Sequence, residues 1–306
     1  MDKLFEILKC MDKLFEILKA VLYGIIEGIT EWLPVSSTGH LILIGDLLPF
    51  RLGDETFNAE FSEMFEVVIQ LGAILAVVVL FFHKLWPFSP SKTREEKKST
   101  WVLWGKVLIA SIPAGLIGVV GDKLLEKITG KDINGWLYNS VVVAVALIVY
   151  GILFIVIEKL RKGKANRVET VDGVTCRHAL GMGAFQALSM IPGTSRSGST
   201  ILGGMCMGLS RTAAAEFSFF MAIPVMAGAS LVKALGFFRY VSGEGVSVPG
   251  LAWAVLLVGC IVSFAVSMIA IRFLMDFVRK HSFSAFGIYR IALGLLVLGF
   301  FLFSRA

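Results

Sequence analysis

Apolar positions in this chain run in blocks far longer than the alternating or 3.6-residue stripes of a water-soluble fold. Six blocks, at about 65–83, 101–121, 138–158, 215–237, 250–272 and 285–303, are each long enough to cross a bilayer as a helix. Two more apolar regions, about 21–50 and 178–210, break near their middles at polar clusters. The first cluster is Pro34-Val35-Ser36-Ser37-Thr38-Gly39-His40, and the second is Pro192-Gly193-Thr194-Ser195-Arg196-Ser197-Gly198. Hydrocarbon offers backbone groups no partner, so such breaks survive only inside protein or against a wet cavity. Both regions are therefore expected to be re-entrant pairs of half-helices.

Composition narrows the class further. Of 306 residues, 56% are hydrophobic and 17% charged, against about 45–50% and 25% in soluble domains. There is too little charge to cover a soluble surface of this size, and the mean hydropathy of +0.80 agrees. The net charge of +6 would suggest nucleic acid in a soluble chain. Here the basic residues sit between apolar blocks, so they read as topology signals and no nucleic-acid partner is expected. Five Lys or Arg fall in 84–100 and six in 159–177, whereas 51–64 holds one Arg against four acids. That places 84–100, 159–177 and 272–284 on the cytoplasmic side, with 51–64, 122–137 and 238–249 outside. Cys10, Cys176, Cys206 and Cys260 show neither zinc-ligand nor disulfide-framework spacing.

With this topology the chain divides into two halves, 21–158 and 178–303, each a broken region followed by three spans. Three is odd, so the halves enter the membrane from opposite sides, forming an inverted-topology repeat within a single membrane domain. Gly24 precedes Glu27 in the first half as Gly183 precedes Gln186 in the second. Residues 1–20 are expected to form an N-terminal amphipathic segment on the membrane surface. Within it, residues 1–10 recur as 11–20 with one difference, which reads as a duplicated start with either Met1 or Met11 as the first residue.

Ionisable residues at membrane depth are costly and point to function. The first break carries Glu27, Glu31 and His40; the second carries Arg196 among hydroxyls, with Arg211 beyond it. Glu66, Lys106, Glu216 and Arg290 also lie in apolar spans, where the sequence does not separate packing from function. Half-helices restarting at Gly39 and Gly198 would aim amides and dipoles at an anion. Arg196 adds a fork suited to phosphate oxygens. The acids and the imidazole exceed what anion binding needs and suit proton transfer during phosphoryl chemistry.

Glu27-Gly-Ile-Thr-Glu31-Trp-Leu-Pro-Val-Ser-Ser-Thr-Gly-His40 and Pro192-Gly-Thr-Ser-Arg-Ser-Gly-Ser-Thr200 closely resemble the undecaprenyl-diphosphate phosphatase family, also called bacitracin-resistance proteins. Phe65-Glu-Val-Val-Ile-Gln-Leu-Gly72, Ser210-Arg211 and Glu216-Phe-Ser-Phe219 extend the resemblance from about residue 20 to the C-terminus. It implies a multi-pass enzyme of the bacterial inner membrane that converts undecaprenyl diphosphate to the monophosphate carrier lipid for peptidoglycan synthesis. It also implies a site facing the periplasm and a supporting divalent cation, Mg2+ or Ca2+. The expected catalytic set is Glu27, Glu31, Ser37, His40 and Arg196. Ser36, Thr38, Gly39, Gly193, Ser195, Ser197, Gly198, Thr200 and Arg211 are expected to bind substrate, and Glu27 and Glu31 to hold the metal. A homodimer stays open.

The expected chemistry has Ser37 as nucleophile, Glu31 as base, His40 orienting it or protonating the leaving phosphate, and Arg196 with its neighbouring hydroxyls holding the diphosphate. A phosphohistidine at His40 and direct attack by water remain alternatives. A Ser-Arg pair without a following His and Asp argues against the acid-phosphatase-type lipid phosphatases. The competing class is a transporter or flippase for an anionic polyprenyl lipid, because inverted repeats and broken helices are also how secondary transporters are built.

Overall fold

The computed structural model describes residues 2–121, 127–128 and 140–304, so the 122–137 loop of the charge argument lies almost wholly outside the described residues. The protein is a polytopic membrane protein, all-α among the described residues, which include six helices long and apolar enough to cross a bilayer: Glu55–Leu80, Arg94–Leu116, Val141–Arg161, Arg211–Glu244, Gly250–Lys280 and Ser284–Phe301. Each overlaps one of the six apolar blocks.

In chain order the main helices are α1 (Asp2–Thr30), α2 (Ser37–Leu47), α3 (Glu55–Val68), α4 (Gln70–Leu80) and α5 (Arg94–Leu116). They continue as α6 (Ser140–Arg161), α7 (Cys176–Ala187), α8 (Arg196–Cys206), α9 (Arg211–Glu244), α10 (Gly250–Lys280) and α11 (Ser284–Ser304). Helices α3 and α4 together make the first span. The N-terminal segment is not a separate element: α1 runs unbroken from Asp2 to Thr30. Nothing between the duplicated decapeptide and Thr30 stops a helix, since Gly24 and Gly28 only weaken one.

Local chemistry sets the boundaries. A capping box starts α5, with Thr93 and Glu96 each bonding the other's backbone N–H. Thr175 and His178 start α7 in the same way. At the two breaks the caps are serines in the left-handed region, Ser36 at φ 77° and Ser195 at φ 67°, the only non-glycine residues of positive φ among those described. Their side chains accept from the N–H of Gly39 and of Gly198, so each of these short helices starts on a serine cap. At 11 residues each, α2 and α8 span about 16 Å, roughly half a hydrocarbon core.

The packing exchanges the two halves. Helix α1 lies along α10, α7 lies along α5, and α6 lies along α11. Missing side chains allow these close approaches. A methyl on Gly24 would lie 2.8 Å from the Gly259 carbonyl oxygen, and one on Gly183 would overlap the Ala110 carbonyl. Gly151 of α6 and Gly287 of α11 face each other, a methyl on either falling 2.6 Å from the other's carbonyl oxygen. Phe217, Phe219, Phe220 and Met221 of α9 are fully buried at the centre, while Leu257, Ile261 and Ile269 of α10 are exposed where lipid would lie. The two breaks meet in the middle of this frame.

Candidate active site

Glu31 ends the helical stretch before the first break, and its two carboxylate oxygens serve different halves of the chain. Oε2 accepts from Ser37 Oγ at 2.8 Å. Oε1 accepts from Arg196 Nη2 at 2.9 Å and from its Nε at 3.3 Å. Ser197 Oγ donates to the Glu31 carbonyl at 2.9 Å, so the second break grips both ends of the residue. Arg196 reaches on to Ser218 of α9, donating from Nη1 to its carbonyl at 2.8 Å. Its guanidinium also sits 5.6 Å from the Trp32 ring centre. These contacts occupy the fork, so Arg196 holds Glu31 in one rotamer before any anion arrives.

The other hydroxyls of the second motif are engaged internally. Thr200 Oγ1 donates to the Arg196 carbonyl at 2.9 Å and lies 2.6 Å from Ser218 Oγ. Ser195 Oγ lies 3.2 Å from Ser197 Oγ. Gly193 has φ 91°, and a Cβ there would press on the Val143 carbonyl. In this geometry the motif builds the junction between the breaks.

His40 stands apart from the Glu31–Ser37 pair. Its Nδ1 is 2.7 Å from the Ser36 carbonyl and its Nε2 2.7 Å from the Tyr289 hydroxyl of α11. The carbonyl can only accept, so Nδ1 carries the proton and Nε2 faces the Tyr289 hydroxyl. The rings stack at 5.8 Å and 8°. Arg211 is further removed. It forms a two-pronged ion pair with Glu158, at 2.8 and 2.6 Å, at the opposite end of the bundle. The structure therefore brings together Glu31, Ser36, Ser37, Gly39, Ser195, Arg196, Ser197, Gly198 and Thr200, and leaves Arg211 out.

Glu27 sits one turn before Glu31. It is 0% exposed, and neither carboxylate oxygen has a hydrogen-bond partner. An orphaned buried carboxylate is costly and suits a cation ligand. The described residues contain no group of three or more His, Cys, Asp or Glu able to hold a metal. The unpartnered Glu27 oxygens are of the kind that suit a hard cation held by one or two carboxylates, with water and phosphate oxygens completing its shell.

A cleft of about 480 Å³ reaches this junction, lined by Ser37 and Thr38 at the start of α2, by Glu63, Glu66 and Gln70 of the first span, and by Lys233 of α9. Lys233 pairs with Glu63 at 2.7 Å at its mouth. Arg290 of α11 completes the centre. It is 0% exposed and donates to the carbonyls of Pro34 (3.1 Å), Gly193 (2.7 Å) and Thr194 (2.9 Å), pinning both tips at once. Sequence reasoning flagged Arg290 and Glu66 as ions in apolar spans, met Glu66 and Ser218 otherwise only inside longer matching motifs, and gave no signal for Tyr289 or Lys233.

The profile of bacitracin resistance protein BacA matches residues 20–296. The chain belongs to this family. It is 50% identical over 285 residues to the undecaprenyl-diphosphatase of Enterococcus faecalis, covering 93% of this chain and 97% of that one. The undecaprenyl-diphosphatase of Lactiplantibacillus plantarum is 51% identical over 286 residues, covering 92% and 96%. That of Acetivibrio thermocellus is 50% identical over 287 residues, covering 94% and 98%. The family match takes in both breaks, the first five spans, most of the sixth and every residue of the Glu31 junction.

Proposed function

We infer that the chain is an integral-membrane phosphatase that hydrolyses undecaprenyl diphosphate to undecaprenyl phosphate and inorganic phosphate. The carrier lipid is thereby returned to peptidoglycan synthesis, and the cell gains resistance to bacitracin. The observation that carries this reading is the Ser37 Oγ–Glu31 Oε2 hydrogen bond at 2.8 Å, made at the inner end of a cleft. A serine hydroxyl is a weak nucleophile until an adjacent base takes its proton, and this pair is within reach for that transfer.

In the proposed reaction Ser37 Oγ attacks the terminal phosphorus as its proton passes to Glu31. A Ser37–phosphorus bond forms, the bridging oxygen–phosphorus bond breaks, and undecaprenyl phosphate leaves. The proton on Glu31 then passes to the departing phosphate oxygen, so the ionised carboxylate can take a proton from water. The water oxygen bonds to phosphorus, the Ser37–phosphorus bond breaks, and the proton returns to Ser37 Oγ as inorganic phosphate leaves. Arg196 keeps the Glu31 carboxylate aligned, and the first-turn amides of α2 face the developing charge. Glu27, with Glu31 beside it, would hold Mg2+ or Ca2+, whose charge would offset that of the diphosphate oxygens. His40, tied to Ser36 and Tyr289, orients the turn that carries Ser37.

The site opens toward the periplasm of the bacterial inner membrane. This reading is supported by the acidic 51–64 segment at the cleft end and the basic 84–100 and 159–177 loops at the other. The exchanged packing of α1 on α10 and α7 on α5 supports an inverted repeat of 21–158 and 178–303 with re-entrant elements. A homodimer belongs to the same reading, and the mass of the purified particle tests it.

Phosphate release from undecaprenyl diphosphate by the purified chain tests the activity. Trapping the phosphoenzyme tests the nucleophile: label on Ser37 is expected, label on His40 would overturn the assignment, and no adduct would favour direct attack by water. The exchanged packing also suits a transporter. Lipid translocation by Ser37→Ala without phosphate release would favour that second reading.

A further inference from the structure

A second cleft, of about 520 Å³, opens at the end of the bundle away from Ser37, where α6, α9 and α10 reach the basic loops. Between Arg211 at this cleft and Lys233 at the other, α9 rises by roughly 33 Å. Five cations line it: Arg161, Lys162, Lys164, Arg211 and Arg279. Only two carboxylates oppose them, and both are engaged. Glu158 takes Arg211 on both oxygens and the Phe283 N–H on one. Glu169 accepts from Asn166 at 3.0 Å.

The built part of the cleft is rigid. Arg161 donates to the Met205 carbonyl, to Asn166 at 2.6 Å and to the Gly208 carbonyl at 3.4 Å, tying the end of α6 to the end of α8. The Arg211–Glu158 pair forms the floor. Ser210 caps α9 by accepting from Ala213 N–H, so the positive end of a 34-residue helix opens on the same space. Lys162 and Lys164 are exposed and make no ion pair among the described residues, and Arg279 has only a loose, exposed contact with Asp276 at 3.5 Å. Met205, Leu209 and Val278 supply an apolar wall beside this charge. Net positive charge, a helix N-terminus and an apolar flank where three membrane-spanning helices end match the chemistry of a lipid phosphate.

We propose that this cleft binds the phosphate headgroup of an anionic membrane lipid, held by Lys162, Lys164 and Arg279 over the Arg211–Glu158 floor. It is separate from the Glu31 junction and takes no part in the hydrolysis. The test is titration of the full purified chain in detergent with phosphatidylglycerol or phosphatidylcholine, read by native mass spectrometry. Wild type is expected to prefer phosphatidylglycerol by about tenfold, and Lys162→Gln/Lys164→Gln/Arg279→Gln to lose that preference. Phosphate release from undecaprenyl diphosphate should stay within about twofold, which also reports that the variant is folded. Lys97→Gln/Lys98→Gln, in the other basic loop, should keep the preference, as should Lys162→Arg/Lys164→Arg. An undiminished preference in the triple variant would overturn the site. Binding of inorganic phosphate without any preference for phosphatidylglycerol would overturn the lipid assignment in favour of free phosphate.

Discussion

Replacing Arg290 by Met tests whether the two breaks must be locked together for catalysis. Arg290 touches no reacting group, and its three hydrogen bonds go to backbone carbonyls of both tips. Hydrogen bonds from a charged donor contribute about 1.5–3 kcal/mol each, so their gross loss is roughly 5–9 kcal/mol. Removing the buried cation also removes its desolvation penalty, itself several kcal/mol. The net effect on the closed arrangement of the tips is then about 3 kcal/mol. If only the closed arrangement aligns Glu31 with Ser37, kcat should fall by about 100-fold, since each 1.36 kcal/mol is tenfold. Arg290→Lys retains a charge but loses the fork that spans three carbonyls, and should fall in between. The assay is phosphate release at saturating substrate, with thermal melting measured alongside. Wild-type kcat in Arg290→Met, with unchanged melting, would refute the argument.

Four further outcomes follow from the same geometry. Ser37→Ala and Glu31→Gln should each reduce phosphate release by at least about 1,000-fold, and combining them should cost little more, because the two groups act as a unit. Glu27→Gln should leave the fold intact and flatten the dependence of rate on added Mg2+ or Ca2+; an unchanged cation titration would remove Glu27 from the metal role. Gly183→Leu should drive α7 away from Ala110 of α5 and lower thermal stability by several degrees, whereas Gly243→Leu, with open space around it, should not. Deleting residues 1–10 should preserve activity in the phosphate-release assay, since α1 would still begin ahead of Gly24 and Glu27.

The spans and the breaks were legible because hydrocarbon permits so few solutions: long apolar runs must be helical, and a polar Pro/Gly/Ser cluster inside one must stop it. Glu31, Ser37 and Arg196 were legible as ions and hydroxyls at those stops. Their mutual geometry was not, because Glu31 meets Arg196 only once the second break folds back on the first. Arg211 was grouped with Arg196 on the family resemblance of Ser210-Arg211, yet α8 carries the chain from one level of the bundle to another, and Arg211 emerges beside Glu158. Arg290 was visible as an expensive buried cation, but its partners, Pro34, Gly193 and Thr194, belong to segments far from it in the chain. Tyr289 gave no signal at all: an aromatic residue in an apolar span looks like packing until His40 is placed against it.

Ser37 and Arg196 occupy the same seat, each the first residue of its half-helix behind a serine cap, and Glu31 takes one with each oxygen. A frame built from two identical halves would carry two serines or two arginines there, never one of each. The Ser37–Glu31–Arg196 arrangement therefore depends on the two breaks differing at this one position.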